Sequence, residues 1–268
     1  MKIFEDPNVQ CLLCTGYEFE GDFPLLRERQ LDRYRPGVRQ KEWWRYHHNY
    51  LGLKTLVAYQ GVKPVGHIEF MPIDYVPRPI SGQDILIINC IHVAEPFKGQ
   101  GIGRALLGSV EDHAQRQAKG VAVLSRNFGS FMPLSYFEKM KYQPVDERDD
   151  ETLMFKPIVE VEAPAFLTQR YEPEHKENMI NLDYFHCPQC PMSGYTLEGL
   201  QKHLKSHREE ISLTVFEMSE RKDVEQFGIA EGIFIDGVRV ASLPYDVDQL
   251  ISLLDMSLET KDVSVIAH

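Results

Sequence analysis

The chain has 268 residues, 43% hydrophobic and 26% charged, which suits one large folded domain or two of ordinary size. Forty acidic against 29 basic side chains leave a formal charge of −11, which opposes non-specific nucleic-acid binding. No run of eighteen apolar residues suits a membrane-spanning helix, and the opening Met1-Lys2-Ile3-Phe4-Glu5-Asp6-Pro7 lacks the apolar stretch of a secretion signal. The expectations are a cytoplasmic location and neither a nucleic-acid nor a membrane partner, with homodimer formation left open.

In chain order, Cys11-Leu-Leu-Cys14 reads as part of a first strand, with the two thiols on opposite faces and no chelating geometry. Trp43-Trp44-Arg45-Tyr46-His47-His48-Asn49-Tyr50 reads as a packing helix rich in aromatics. A hairpin follows, residues 55–61 and 64–71 about a Gly-Val-Lys turn. The β-branched run Asp84–Val93 predicts a central strand, and Ile102–Ala118 a helix with Leu106, Leu107, Val110 and His113 along one face. A strand over 120–125, a short helix opened by Pro133, and strands over 142–145 and 152–155 complete a domain spanning residues 1–158.

A Glu-rich, proline-bearing linker is expected over 159–178, and a second domain over 179–268. Its predicted elements are a strand (179–185), a Cys-x-x-Cys turn, a helix (197–210), a strand (211–218) and a short helix (220–227). A hairpin turning at Asp236-Gly237 and a helix over 247–258, with Asp246 as N-cap, close it. The fold class read from this order is α/β (α+β), a mixed central sheet followed by a smaller α/β domain.

The first chemical signal is Lys98-Gly99-Gln100-Gly101-Ile102-Gly103-Arg104, between the central strand and the helix. Glycines there let backbone N–H groups approach a phosphate, and the helix N-terminus adds a positive dipole end. No Gly-Lys-Ser/Thr closes the loop, so it is not a Walker motif. The run Ile88-Asn-Cys-Ile-His-Val-Ala-Glu-Pro-Phe-Lys98-Gly-Gln-Gly-Ile-Gly-Arg-Ala-Leu-Leu107 resembles motif A of the GCN5-related N-acetyltransferases, Arg/Gln-x-x-Gly-x-Gly/Ala, with Lys98 at the first position and Gly101 and Gly103 matching. Tyr136-Phe-Glu-Lys-Met-Lys-Tyr142 is similar to that family's Phe-Tyr-Glu-Lys-x-Gly-Phe. The closer similarity is to the YoaP-type subgroup, whose members carry a further C-terminal domain.

The resemblance implies the acetyltransferase fold and acetyl transfer from acetyl-CoA to the amine of a small molecule or peptide. Backbone amides of residues 99–104 would hold the pyrophosphate, beside Lys98 and Arg104, and backbone near His92 and Val93 would pair with the pantetheine arm. The tyrosine that often protonates the leaving thiolate aligns with Phe137, beside the cofactor, while Tyr136 is one place early, about 100° around a helix. No carboxylate lies within the central strand from Ile85 to Ala94, so His92, with a side chain that titrates near neutrality, Glu69 on the preceding strand and Tyr136 are the candidate acid–base groups. Cys90 shares its strand face with His92 by alternation and reads as packing.

In the second domain, Cys187-x2-Cys190-x12-His203-x3-His207 has the spacing of a Cys2His2 zinc site. The order strand–CxxC–helix–strand–helix–hairpin–helix explains more residues and resembles a thioredoxin-like, YoaP-like domain, in which a Cys-Pro pair opens the first helix. Either Cys187-Pro188 or Cys190-Pro191-Met192-Ser193 fits that pair. Zinc or a redox disulfide at Cys187 and Cys190 are both open. The functional alternatives are a CoA-binding sensor governed by those cysteines and a thiol-disulfide oxidoreductase.

Overall fold

The structure is a computed structural model, which describes residues 1–6, 37–126, 132–174, 176, 178–207, 209–241 and 247–260. The strand expected around Cys11 and Cys14 and the Asp246 cap lie outside these residues. The chain divides into two compact units. Of the described residues, 1–6, 45–76 and 80–167 belong to the first, and 37–44, 77–79 and those from Thr168 onward to the second. A helix over residues 37–48 (α1) precedes the hairpin, as the sequence predicts.

The first unit is built on strands β1 (Lys2–Glu5), β2 (Lys54–Gln60), β3 (Lys63–Pro72), β5 (Ile85–Val93), β6 (Gly120–Arg126), β7 (Gln143–Arg148) and β8 (Glu151–Pro157). They form one sheet in the order β1-β2-β3-β5-β6-β8-β7. A separate small ladder pairs β4 (Ile80–Ser81) with β9 (Ala165–Phe166), so the expected linker supplies a strand. The β2–β3 hairpin turns at Gly61, whose φ of +64° suits glycine. Within the seven-stranded sheet β5 and β6 alone are parallel, joined by α2 (Ile102–Gln117), as a parallel pair requires. A short helix, α3 (Leu134–Lys139), leads from β6 towards β7.

Apolar residues recur on α2 at helical spacing, and Ile102, Leu106, Leu107, Val110 and Ala114 are buried there. They pack with Ile68, Phe70, Leu86, Ile88, Val121 and Val123 from one sheet face, and with Phe137 of α3. Each of these side chains larger than alanine contributes about 1.5–3 kcal/mol by leaving water. This core fixes the first turn of α2 at the C-terminal end of β5.

The second unit runs β10 (Ile180–His186), α4 (Pro191–His203), β11 (Ile211–Glu217), α5 (Arg221–Phe227), β12 (Gly232–Ile235), β13 (Val238–Ala241) and α6 (Val247–Thr260). Its sheet order is β11-β10-β12-β13, with β10–β11 parallel and the other pairs antiparallel. Leu182, Tyr184, Leu200, Ile233, Leu250 and Leu254 form one core cluster. Phe185, Val224 and Phe234 form another, against which Tyr171 packs. Helix α4 starts six residues before the expected Leu197, because Pro191 suits the first helical turn and Cys190 takes the N-cap. It ends at His203, and a single 3₁₀ turn, Leu204–Ser206, follows.

Candidate active site

After β5, a turn over Glu95–Phe97 delivers the exposed segment Lys98-Gly99-Gln100-Gly101 to the head of α2. Gly99 and Gly101 have φ of +78° and +79°, and a Cβ on either would meet no atom within 4 Å. The left-handed backbone explains the glycines, and among the described residues the space beside them is open. Gly101 is the N-cap of α2, without a side-chain cap. The N–H groups of the first turn therefore keep their hydrogen-bonding capacity beside the positive end of the helix dipole. Lys98 pairs with Glu95 at 2.5 Å, Gln100 Nε2 donates to the Pro96 carbonyl at 3.2 Å, and Arg104 is exposed.

Strands β5 and β6 pair only from Ile85–Gly120 to Ile88–Val123. Beyond Ile88 the ladder to β6 stops, while β5 stays paired to β3 as far as Val93. At that point the β3–β5 register skips a residue: Phe70 faces Ile88 and Glu69 faces Cys90. Asn89 is the extra residue of a β-bulge, which re-aims the strand. The packing records the shift: Leu86 and Ile88 before the bulge, and Ile91 and Val93 after it, belong to the α2-facing cluster. Asn89 is 5% exposed, and neither atom of its side-chain amide has a hydrogen-bond partner among the described residues.

On the same β3–β5 pairing, His67 faces His92 and Glu69 faces Cys90. His67 and Glu69 are fully buried, and the two imidazole rings lie 6.1 Å apart. Burial, with help from His67 and Lys98, lowers the His92 pKa to about 4. His92 is therefore uncharged at physiological pH. Sequence reasoning singled out His92 and Glu69 but missed His67 and Asn89. The signals were available, since His67 alternates with Glu69 on one strand face and Asn89 interrupts the apolar run Ile87-Ile88 … Ile91.

Tyr136 and Phe137 point to different places. Phe137 is fully buried in the core, packed edge-on against Tyr142, so the cofactor contact expected of it is not available to its ring. The Tyr136 hydroxyl lies 2.9 Å from where a Cβ on Gly103 would stand, at the first turn of α2, and has no hydrogen-bond partner among the described residues. Burial raises its pKa to about 12, so it is protonated at physiological pH.

In the second unit Cys187 is fully buried, and burial pushes its thiol pKa up against the opposing pull of Arg78. Its N–H donates to Ser193 Oγ at 3.2 Å. Lys41, 1% exposed, donates to the Gln189 carbonyl at 2.9 Å. Arg78 donates to Gln189 Oε1 at 2.7 Å and pairs with Glu231 at 3.3 Å. Cys190 is partly exposed and caps α4. Of the two Cys-Pro pairs, Cys190-Pro191-Met192-Ser193 therefore opens the helix. Because α4 begins at Pro191 and ends at His203, Cys190 and the histidines sit at opposite ends, about 20 Å apart at 1.5 Å per residue. Cys187, Cys190, His203 and His207 do not converge as one four-ligand zinc site, contrary to the expectation from spacing.

Among known proteins, residues 20–134 match the model of the acetyltransferase (GNAT) family. No curated protein matches. Solved structures that this chain is similar to include the ribosomal-protein-alanine N-acetyltransferase from Brucella melitensis, at 18% identity and TM-score 0.42 over 59% of this chain and 100% of that one. Another is the PaiA N-acetyltransferase from Thermoplasma acidophilum in complex with coenzyme A, at 16% identity and TM-score 0.41 over 59% and 99%. A GNAT-family acetyltransferase from Brucella melitensis in complex with acetyl-CoA is 14% identical, with TM-score 0.37 over 60% and 90%. The residues that match the acetyltransferase (GNAT) family model include most of the mixed sheet of the first unit and its α2 crossover.

Proposed function

We propose that the first unit binds acetyl-CoA and transfers its acetyl group to a primary amine of a small molecule or peptide. The observation that carries this reading is the uncapped start of α2 behind two left-handed glycines with open space beside them. Fixed N–H groups there suit a diphosphate. The edge of β5 beyond Ile88, unpaired among the described residues, offers backbone donors and acceptors to the pantetheine arm, and the Asn89 amide, without a partner among those residues, lies at the start of that edge.

When bound, acetyl-CoA supplies an activated acyl thioester. As the C–N bond forms and the C–S bond breaks, one proton must leave the amine and another must reach the departing sulfur. Tyr136, held protonated, donates to the sulfur. His92, held neutral, accepts from the amine directly or through a water, with Glu69 and His67 on the paired strand behind it. The rest of the catalysis is positioning of the two reactants. The test is release of free thiol from acetyl-CoA across an amine panel. Release that depends on one class of amine supports transfer, and release equal to the amine-free rate with every acceptor contradicts it.

The second unit is read as a thioredoxin-like domain of the YoaP-like kind, used for thiol or substrate recognition. Its support is the order β11-β10-β12-β13 with a cysteine capping the first helix. Segment 228–232 contains no proline to face the cysteines, and Cys187 is buried as a high-pKa thiol, so disulfide exchange is the weaker role. One observation favours a second reading, a CoA-binding sensor governed by redox state or zinc at Cys187 and Cys190. These residues share one tight turn, the Cys190 N–H donating to the Cys187 carbonyl at 3.3 Å. Acetyl-CoA binding without turnover would select it.

A further inference from the structure

We propose that the second unit carries a divalent transition-metal site made by His203, His207 and Asp255, independent of the cysteines. His203 ends α4, His207 follows one 3₁₀ turn later, and Asp255 lies on α6. One potential ligand atom from each lies within 4.8 Å of the other two. His203 Nε2 and Asp255 Oδ1 are 3.0 Å apart. Two ligands bound at about 2.1 Å in a tetrahedral site stand about 3.4 Å from each other, so this pair is already close to chelating distance. The His203 and His207 rings are 5.0 Å apart, and small side-chain rotations bring the third ligand in.

A second observation points the same way. His207 Nδ1 is bonded to Glu210 Oε2 at 3.0 Å. That contact engages Nδ1 and makes Nε2 the ring nitrogen that would take an ion, the carboxylate–histidine arrangement that supports metal ligands. Two imidazoles and one carboxylate suit Zn²⁺ or a neighbouring first-row divalent ion, with a fourth position for water. His203 also lines a groove between α4 and α6, with Tyr195, Glu198, Lys202, Asp248 and Ile251. An ion here would clamp α6 onto the end of α4.

The test uses the full chain stripped with a chelator and titrated with Zn²⁺ by calorimetry, then with Co²⁺ followed spectroscopically. The expected result is one Zn²⁺ per chain, bound at least tenfold more weakly after Asp255→Asn or His203→Gln and about tenfold more weakly after Glu210→Gln. Affinity is expected unchanged after Cys187→Ser plus Cys190→Ser. The Co²⁺ spectrum should show ligand-field bands without a sulfur-to-metal charge-transfer band. The absence of saturable binding, or binding that disappears with the cysteines and survives Asp255→Asn, would overturn the proposal. Circular dichroism of the Asp255→Asn chain, altered at a half-exposed position, checks that lost binding is not lost folding.

Discussion

The Tyr136 hydroxyl sits against Gly103, 2.9 Å from the place a Cβ would occupy there. A side chain on α3 thereby reaches the first turn of α2, where the glycine loop ends. Its neighbour Phe137 points the other way and is fully buried.

The pair separates catalysis from stability. Tyr136→Phe is expected to lower kcat by about a hundredfold or more, in line with loss of a proton donor. The KM for acetyl-CoA and the unfolding free energy should change little. Phe137→Ala should cost about 3–5 kcal/mol of stability, read by urea denaturation. A Tyr136→Phe enzyme with unchanged kcat would remove Tyr136 from the acid role.

Asn89 holds a buried amide without a hydrogen-bond partner among the described residues. Such a group costs roughly 1–3 kcal/mol, so Asn89→Leu, which keeps the branched four-heavy-atom skeleton, should raise stability by about 1 kcal/mol while weakening acetyl-CoA binding. Denaturation and calorimetry on the same variant test both halves. A variant that binds acetyl-CoA normally would reduce Asn89 to a tolerated defect of the bulge.

The burial that lowers the His92 pKa to about 4 has a stability consequence with a definite sign. An unfolded histidine titrates near 6.5. Between those values the unfolded chain binds a proton that the folded chain does not. Stability therefore rises with pH across that window, and is lost as pH falls from about 6.5 towards 4. Unfolding free energies measured across pH 4–7 should show this slope, and His92→Gln should flatten part of it. A His92 titration midpoint near 6.5 by NMR would contradict the assignment.

The two cysteines of the second unit should differ in reactivity. Cys190 is partly exposed at a helix N-terminus, whereas Cys187 is buried with a raised thiol pKa. Brief alkylation of the native chain, mapped by peptide mass, is expected to label Cys190 and to spare Cys187 until denaturant is added. Equal labelling at both would show that Cys187 is reached by solvent.

Local signals made the element order legible. The β12–β13 hairpin turns at Asp236-Gly237, both with positive φ, as that dipeptide predicts. The apolar spacing of 102–118 places α2 to within a residue. Non-local relations were harder to read. The bulge at Asn89 is a matter of pairing between β3 and β5. Pro191, a usual helix opener, shifted α4 towards the N-terminus and carried the histidines away from the cysteines. The Tyr136–Phe137 assignment depended on helix phase, which a motif comparison offset by one residue could not supply. The membership of residues 37–44 and 77–79 in the second unit leaves no mark in composition.

The most direct measurement is isothermal calorimetry of acetyl-CoA against the reduced, chelator-treated chain and its Gly101→Asp counterpart. The open, left-handed position of Gly101 makes an added carboxylate a source of backbone strain and of charge repulsion towards a diphosphate. The account predicts one saturable site on the parent chain and affinity at least tenfold weaker in the variant. No saturable binding by the parent chain, or equal affinity in both, would contradict it.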